Sequence, residues 1–266
     1  MNLSLLKATF KANYKLWLII FFVMLMYSSI IVSMYDPNNM AAWESMLELF
    51  PEEILKAMNF NIVSPTFLGY IAGYYYGFIM IMFPMIFVII SGNRMIAKYV
   101  DNGSMSFLLA TPNTRQKIAI TQAVYMLLST ILLIFITALL ILLFGALMFP
   151  GDLEIGKFFL LNLNITGLFV LLSGIAFLAS CVFNESRQAI GVGAGVLIGF
   201  FVINMLAGVN DQLDFLKYFT VFTLFDTEKI IHLNGIIYVH IAILYGIGLS
   251  FYVVGVKIFN VKNLHI

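Results

Sequence analysis

The sequence predicts an all-α integral membrane protein with six transmembrane helices and both termini in the cytoplasm. Of the 266 residues, 62% are hydrophobic and only 10% are charged, whereas soluble domains carry about 25% charged residues. The mean hydropathy is +1.01. Six apolar segments reach the length of about 20 residues that a helix needs to cross the hydrocarbon core. Most lysine and arginine residues lie in the segments that face the cytoplasm when both termini are placed inside.

The six predicted spans follow one another without an internal repeat, a low-complexity tract or a linker. Residues 1–266 are therefore predicted to form a single transmembrane domain. The predicted spans cover residues 16–34, 67–90, 118–148, 158–182, 189–207 and 236–256. Pro84 is expected to bend the second span, because proline removes a backbone donor from the helix. The first span is expected to stay uncleaved, since no small-residue cleavage pattern follows it.

Lysine and arginine residues in the connections set the predicted orientation. With both termini inside, the outer connections hold four of the 14 cations and the inner side holds the rest. The outer four are Lys56, Lys157, Lys217 and Lys229. This bias follows the positive-inside rule and favours cytoplasmic termini.

Amphipathic stretches are predicted at the membrane surface on both sides. Residues 1–15 carry Lys7, Lys11 and Lys15 at intervals of four, with apolar residues on another face, which is typical of a helix lying on a membrane. A solvated leader is the alternative. Outside, residues 43–58 and 213–219 carry apolar side chains at helical spacing beside acidic residues. We interpret them as surface helices that serve as structural lids, with a binding site as the alternative.

The longest cationic interruption, residues 92–117, surrounds a short apolar run at residues 105–110. Ser104 can cap a helix and Pro112 must end one. A helix of about two turns is therefore predicted between them. It is too short to cross a bilayer and too apolar to lie free in water, and we interpret it as a docking element for another protein.

No enzyme site, cofactor site or metal site is predicted. The three histidines are far apart and form no helical metal-binding pair. Cys181, the single cysteine, lies in an apolar segment and is interpreted as a packing residue. No basic block suggests a nucleic-acid partner. The apolar parts of the spans hold no Asp, Glu, Lys or Arg, which argues against ion-coupled transport. The chain also lacks the glycine-rich P-loop that binds ATP.

Two sets of residues within the spans are candidates for contacts. Glycines at intervals of four predict close helix packing, with a dimer interface or the wall of a transport pathway as alternatives. They are Gly69, Gly73 and Gly77 in the second span and Gly191, Gly195 and Gly199 in the fifth. Polar side chains are candidates for cargo contact, with interfacial anchoring and interhelical hydrogen bonds as the structural alternative. They are Tyr74, Tyr75, Tyr76, Asn162, Asn164 and Asn204.

The chain resembles the membrane permease subunits of ABC-2-type ABC transporters, including the NosY-like permease group. The resemblance rests on the six spans, the amphipathic N-terminal stretch and the docking stretch between spans two and three. There the family typically has acidic residues, Gly-Thr, a leucine-rich turn, proline, a small polar residue and arginine. The matching residues here are Asp101, Gly103, Ser104, Phe107, Leu108, Leu109, Pro112, Thr114 and Arg115. Ser104 replaces the threonine, and a single aspartate replaces the paired acids.

The resemblance implies a permease that pairs with a second permease copy, identical or different, and rests on a separate ATPase subunit. The docking stretch would be the coupling helix, and ATP and Mg²⁺ would bind to the ATPase partner alone. The implied function is export of an amphipathic or hydrophobic cargo (a peptide, drug or lipid) across the plasma membrane of a bacterial-type cell. The alternative is an energy-independent immunity or sensor protein that binds a peptide through its outer helices.

Overall fold

The computed structural model describes residues 1–37, 49–58, 60, 64–111 and 113–264. Across these ranges the regular elements are helices, and no strand occurs among them. Six helical segments are long and apolar enough to cross a membrane, which confirms the predicted fold class. They are Leu3–Met34, Phe67–Met95, Arg115–Met148, Ile155–Val182, Ser186–Val209 and Ile236–Val261, here called spans 1 to 6. Pro112, His265 and residues 43–48 of the predicted outer helix lie outside the described residues.

Short helices lie at both ends of the bundle. Those near the predicted inner end are Ala97–Asp101 and Ser104–Ala110. Those at the other end are Glu52–Ala57, Thr227–Ile231 and the 3₁₀ helices Asp211–Phe219 and Val221–Leu224. The predicted outer stretch 213–219 is thus helical, but with the tighter 3₁₀ winding that is common in short connectors.

The N-terminal helix and span 1 form one continuous helix of 32 residues, about 48 Å long. The separate surface helix predicted for residues 1–15 is not found, because no proline or glycine interrupts Leu3–Met34 and nothing ends the helix before the membrane. Its buried side also carries polar groups. Thr9 Oγ1 lies 3.2 Å from Gln122 Oε1, and Arg94 Nη1 donates to Asn13 Oδ1 at 3.3 Å. This part of the helix therefore packs on spans 2 and 3.

Spans 2 and 4 occupy the centre of the bundle. In their most apolar stretches 67% and 78% of the residues are buried, against 17–28% in the other four spans. Span 4 packs against spans 2, 3, 5 and 6, and its most extensive contact is with span 6. Any movement of span 4 therefore involves most of the bundle.

Spans 4 and 6 approach each other at the level of their backbones. A Cβ atom placed on Gly248 would lie 2.7 Å from Leu171 N, and one on Gly174 would lie 2.7 Å from Gly248 O. Tyr252 Oη also donates to Ser173 Oγ at 2.8 Å. In the membrane the hydrophobic effect does not drive helices together, because the lipid chains are as apolar as the side chains. Close packing and interhelical hydrogen bonds of this kind hold the helices together instead.

Span 2 changes its helical winding near the middle. Phe67–Tyr74 and Met80–Met95 are α-helical, and Tyr75–Ile79 between them forms a π-helical turn. Met80 N donates to Tyr75 O, five residues back. Pro84 lies inside the second α-helical part, Met80–Met95. Single π-helical turns of this kind frequently mark functional sites.

Candidate functional site

One end of the bundle brings together the docking stretch and both ends of the described chain. Asn2 Nδ2 donates to Asn113 Oδ1 at 2.8 Å, and Arg115 Nη1 donates to Lys262 O at 2.7 Å. Lys262 Nζ in turn donates to Cys181 O at 3.1 Å, at the end of span 4. Burial of this ammonium group lowers the pKa of Lys262 to about 8. The two ends of the chain therefore lie on the same side of the bundle as the docking stretch.

The docking stretch is attached to the bundle through a buried hydroxyl. Span 2 ends at Met95, and Ile96 leaves the helical conformation with φ −128° and ψ −56°. The interruption frees two backbone amides, and both are bound by Ser180 of span 4. Ile96 N donates to Ser180 Oγ at 3.1 Å and Ala97 N donates to it at 2.9 Å. Helix Ala97–Asp101 is thereby fixed to the central span.

Helix Ser104–Ala110 begins at Gly103, which has a left-handed φ of +73°. Glycine adopts this conformation without the steric cost that a side chain would add. The capping role predicted for Ser104 is wrong: Gly103 is the N-cap residue, and Ser104 is the first residue of the helix. The Ser104 hydroxyl instead lies 2.5 Å from Asn102 Oδ1. Ser104 was predicted as the cap because serine is a common N-cap residue. The left-handed conformation of Gly103, which moves the cap one residue earlier, cannot be read from residue type alone.

The two faces of helix Ser104–Ala110 have different surroundings. Met105 is fully buried, and Leu108 and Leu109 pack half-buried against the core. Phe107 points away from the bundle and is 78% exposed. The helix is thus anchored on one side and presents a large aromatic side chain on the other.

A cleft of about 510 Å³ opens beside this helix, between Ala97–Asp101 and the connection from span 4 to span 5. Asp101 and Glu185 both line it. Asp101 was predicted from the family motif, but Glu185 was not, because nothing in the sequence places residues from two distant connections together. These carboxylates are the acidic groups of an end that is otherwise cationic.

The two glycine ladders lie in different environments. Gly69, Gly73 and Gly77 are buried, and a Cβ on Gly69 would meet Ser64 atoms at 2.3 Å. For Gly191, Gly195 and Gly199, a Cβ would meet no heavy atom of the described residues within 4 Å. The ladder of span 5 thus faces away from its own bundle. The glycines that bring spans 4 and 6 together were not among the predicted residues.

The polar candidates for cargo contact fall into three groups. Tyr74, Tyr75 and Tyr76 are buried. Tyr76 Oη donates to Asn162 Oδ1 at 2.8 Å, so for this pair the structure shows the interhelical hydrogen bond that was the structural alternative. Asn164 is fully buried, and its amide has no hydrogen-bond partner among the described residues. Asn204 lines an open cavity at the other end of the bundle.

That second cavity, here called the outer cavity, has a volume of about 540 Å³ and lies between spans 2 and 5. The short helices at the same end form its rim. Its wall combines residues from spans 2 and 5 with charged residues of the connections. Its lining residues include Lys56, Gly77, Ile81, Asn204, Ala207, Gly208, Asp214, Lys217, Asp226, Glu228 and Lys229. The sequence gives no signal for this cavity, since it depends on how the connections fold over the spans.

The six spans define a multi-pass membrane protein, with an exposed short helix at one end and a cavity at the other. The family model described as ABC-2 family transporter protein matches residues 10–264. The match covers nearly the whole chain, and the protein belongs to this family of membrane transport components. Searches among curated proteins and among solved structures found no match. Membership in this family implies association with an ABC ATPase subunit.

Proposed function

We propose that this protein is the permease subunit of an ABC exporter and that a separate ATPase subunit docks on helix Ser104–Ala110. The observation that carries the proposal is the 78% exposure of Phe107 on a helix whose opposite face is anchored by fully buried Met105. Burying such an aromatic side chain is favourable by about 1.5–3 kcal/mol. Aromatic side chains of this kind are enriched among the residues that dominate binding at protein interfaces.

The surroundings of Phe107 support a force-bearing contact rather than a loose one. The preceding helix, Ala97–Asp101, is held to span 4 by the two hydrogen bonds to Ser180. Arg115 ties the beginning of span 3 to Lys262 at the end of span 6. A displacement of the docked helix would therefore reach spans 3, 4 and 6 directly. ATP and Mg²⁺ belong to the partner in this scheme.

We extend the proposal to a second permease copy, identical or different. Span 5 is the least buried of the six spans, and its glycine ladder has no contact within the described residues of this chain. A second copy packing along this face would gain the close backbone approach that such ladders allow. The finer assignment to the NosY-like permease group belongs to the same proposal and rests on the motif between Asp101 and Arg115.

The docking assignment can be tested with Phe107→Glu. The tagged wild-type protein, purified from membranes of cells that make the whole system, is expected to bring down an ATPase that mass spectrometry identifies. Placing a carboxylate in an apolar contact should reduce the recovered ATPase at least about tenfold. ATP hydrolysis in the purified sample should fall in parallel.

Phe219→Glu is the matched control, because Phe219 is also highly exposed, at 68%, but lies at the opposite end of the bundle. It should leave ATPase recovery unchanged. If Phe107→Glu retains both the partner and its hydrolysis, the docking assignment is wrong. If the wild-type protein brings down no ATPase, the energy-independent immunity or sensor function is favoured instead.

A further inference from the structure

The outer cavity extends from charged groups at the surface to apolar groups at membrane depth. Gly77 lies ten residues into span 2, about 15 Å along the helix axis from its beginning. Ile81 lies one turn deeper, and Ala207 of span 5 contributes to the opposite wall. A cavity with this profile, about 540 Å³ in volume, fits an amphipathic molecule with its polar end outward.

Among the residues that the structure describes, the rim of the cavity carries both signs in equal number. Its cations are Lys56, Lys217 and Lys229, and its acids are Asp214, Asp226 and Glu228. A ligand with a single net charge gains little from such a rim, because attraction to one set is offset by repulsion from the other. A zwitterion can place each of its charges against the opposite set.

Four of the six rim charges are paired with one another in the structure, whereas Lys56 is paired with Glu52, which does not line the cavity, at 2.7 Å. Lys217 Nζ lies 2.6 Å from Asp214 Oδ2, and Lys229 Nζ lies 2.8 Å from Asp226 Oδ2. The four side chains are between 29% and 54% exposed, and ion pairs this accessible contribute at most about 1 kcal/mol. A ligand carrying an ammonium group and a phosphate can therefore exchange partners with them at little cost.

Below the rim lies a polar group that is free to bind. Asn204 faces the cavity from span 5, and no hydrogen bond within the described residues engages its side-chain amide. The amide offers both donors and an acceptor, which suits the ester and glycerol oxygens that join a lipid head group to its chains.

Helix Glu52–Ala57 forms one side of the cavity because span 5 carries a glycine at the contact. A Cβ on Gly208 would lie 2.6 Å from Lys56 O, so any other residue would push this helix away from span 5. The glycine thus holds Lys56 against the rim. The cavity is a built feature of the fold and not a gap between loosely placed connections.

We propose that the outer cavity binds the zwitterionic head group of a phospholipid. The ammonium group would contact the rim carboxylates, the phosphate would contact the lysines, and Asn204 would bind the glycerol region. The acyl chains would leave the cavity at its deeper, apolar end, beside Gly77 and Ile81. If the cavity is the exit site of an amphipathic cargo, that role rests on the proposed export function. Lipid binding to the cavity can be measured without transport.

Lipid retention by the purified full-length protein tests the proposal. Native mass spectrometry would compare dioleoylphosphatidylethanolamine with dioleoylphosphatidylglycerol, added in equal amounts to the protein in detergent. The wild-type protein is expected to retain the zwitterionic lipid about threefold or more over the anionic one, the scale of one exposed ion pair. Asn204→Trp, which fills the cavity, should abolish this preference.

Two further variants make the test specific. Val239→Trp adds the same side chain to span 6 near the same end of the bundle, at a position that is 56% exposed and outside the cavity, so it should retain the preference. Asp214→Lys should shift the preference towards phosphatidylglycerol, because it makes the rim cationic. Its side chain is 54% exposed, so folding should be unaffected.

Equal retention of the two lipids by the wild-type protein would overturn the proposal. So would an unchanged preference in either Asn204→Trp or Asp214→Lys. The ATPase assay on the same variants separates the two levels of inference. If the lipid preference is absent but Phe107→Glu still reduces ATPase recovery, only the lipid site is wrong. If Phe107→Glu does not reduce ATPase recovery, the docking assignment is wrong.

Discussion

At the scale of single residues, Ser180 makes the contact on which the docking end depends. Its hydroxyl accepts hydrogen bonds from Ile96 N and Ala97 N and lies 3.4 Å from Asn93 O. The side chain is fully buried, so water cannot replace it. An unpaired amide in such a place costs about 1–3 kcal/mol. The helix interruption at Ile96 is therefore stable only while Ser180 is present.

Ser180→Ala is expected to destabilise the protein by about 1–3 kcal/mol, because it leaves two buried amides without an acceptor. The measurement is thermal unfolding of the detergent-purified protein. Ser250→Ala is the control, since the Ser250 hydroxyl is exposed and binds only Ile247 O of its own helix. Equal unfolding temperatures for the two variants would show that Ser180 does not hold the interruption.

At the scale of elements, the sequence predicts where helices cross the membrane better than where they begin. The predicted first span begins at residue 16, but the helix begins at Leu3. The predicted second span ends at residue 90, but the helix continues to Met95. Hydropathy reports which residues enter the hydrocarbon core, whereas a helix continues until its backbone hydrogen bonding is broken.

The contacts between elements could not be predicted in the same way. Gly191 and Gly248 have the same side chain in similarly apolar spans, yet only Gly248 meets a neighbouring backbone. The difference depends on the rotation and depth of each helix, which one sequence does not contain. The docking helix was predictable because Pro112 and the apolar run of residues 105–110 are local signals. The outer cavity has no local signal.

The contact between spans 4 and 6 gives a matched pair of substitutions. In Gly248→Ala the new methyl group would lie 2.7 Å from Leu171 N, so the spans must move apart, whereas a methyl group at Gly246 meets nothing within 4 Å. We expect Gly248→Ala to lower stability by about 1–3 kcal/mol through overpacking. Gly246→Ala should be neutral or slightly stabilising, because alanine is the better helix former. Thermal unfolding of both variants in one detergent compares them.

If Gly248→Ala unfolds at the same temperature as Gly246→Ala, the close approach of spans 4 and 6 is wrong. If Gly248→Ala is made in amounts too small for thermal unfolding, a second measurement can compare the two variants. Cross-linking between cysteines introduced at the two spans should become slower in Gly248→Ala, because the distance between the spans increases.

At the scale of the whole molecule, the two ends of the bundle have different structures. The docking helix and the chain ends share one end, and the outer cavity opens at the other. The distribution of lysine and arginine predicts that this end of the bundle faces the cytoplasm, where the proposed ATPase partner would find its nucleotide. In the proposed export function, the ATPase would act on the inner side and the cargo would leave on the outer side.

Cysteine labelling in intact cells tests this orientation. A membrane-impermeant maleimide is expected to label Asn234→Cys, which is exposed at the cavity end, and to leave Ser106→Cys unlabelled until the cells are permeabilised. Cys181 is fully buried, so the wild-type protein serves as the unlabelled control. Labelling of Ser106→Cys in intact cells would place the docking helix outside and exclude a cytoplasmic ATPase as its partner.

The attachment of helix Ala97–Asp101 to span 4 has a mechanical consequence for helix Ser104–Ala110, which directly follows it. Met105 of helix Ser104–Ala110 is fully buried, and Ser180 of span 4 holds the preceding helix by two hydrogen bonds, so both short helices are firmly attached to the bundle. Load applied at Phe107 would be shared among several helices at once instead of bending a soft loop. We therefore expect a short stroke and a stiff response, with small rotations of whole helices opening the far end.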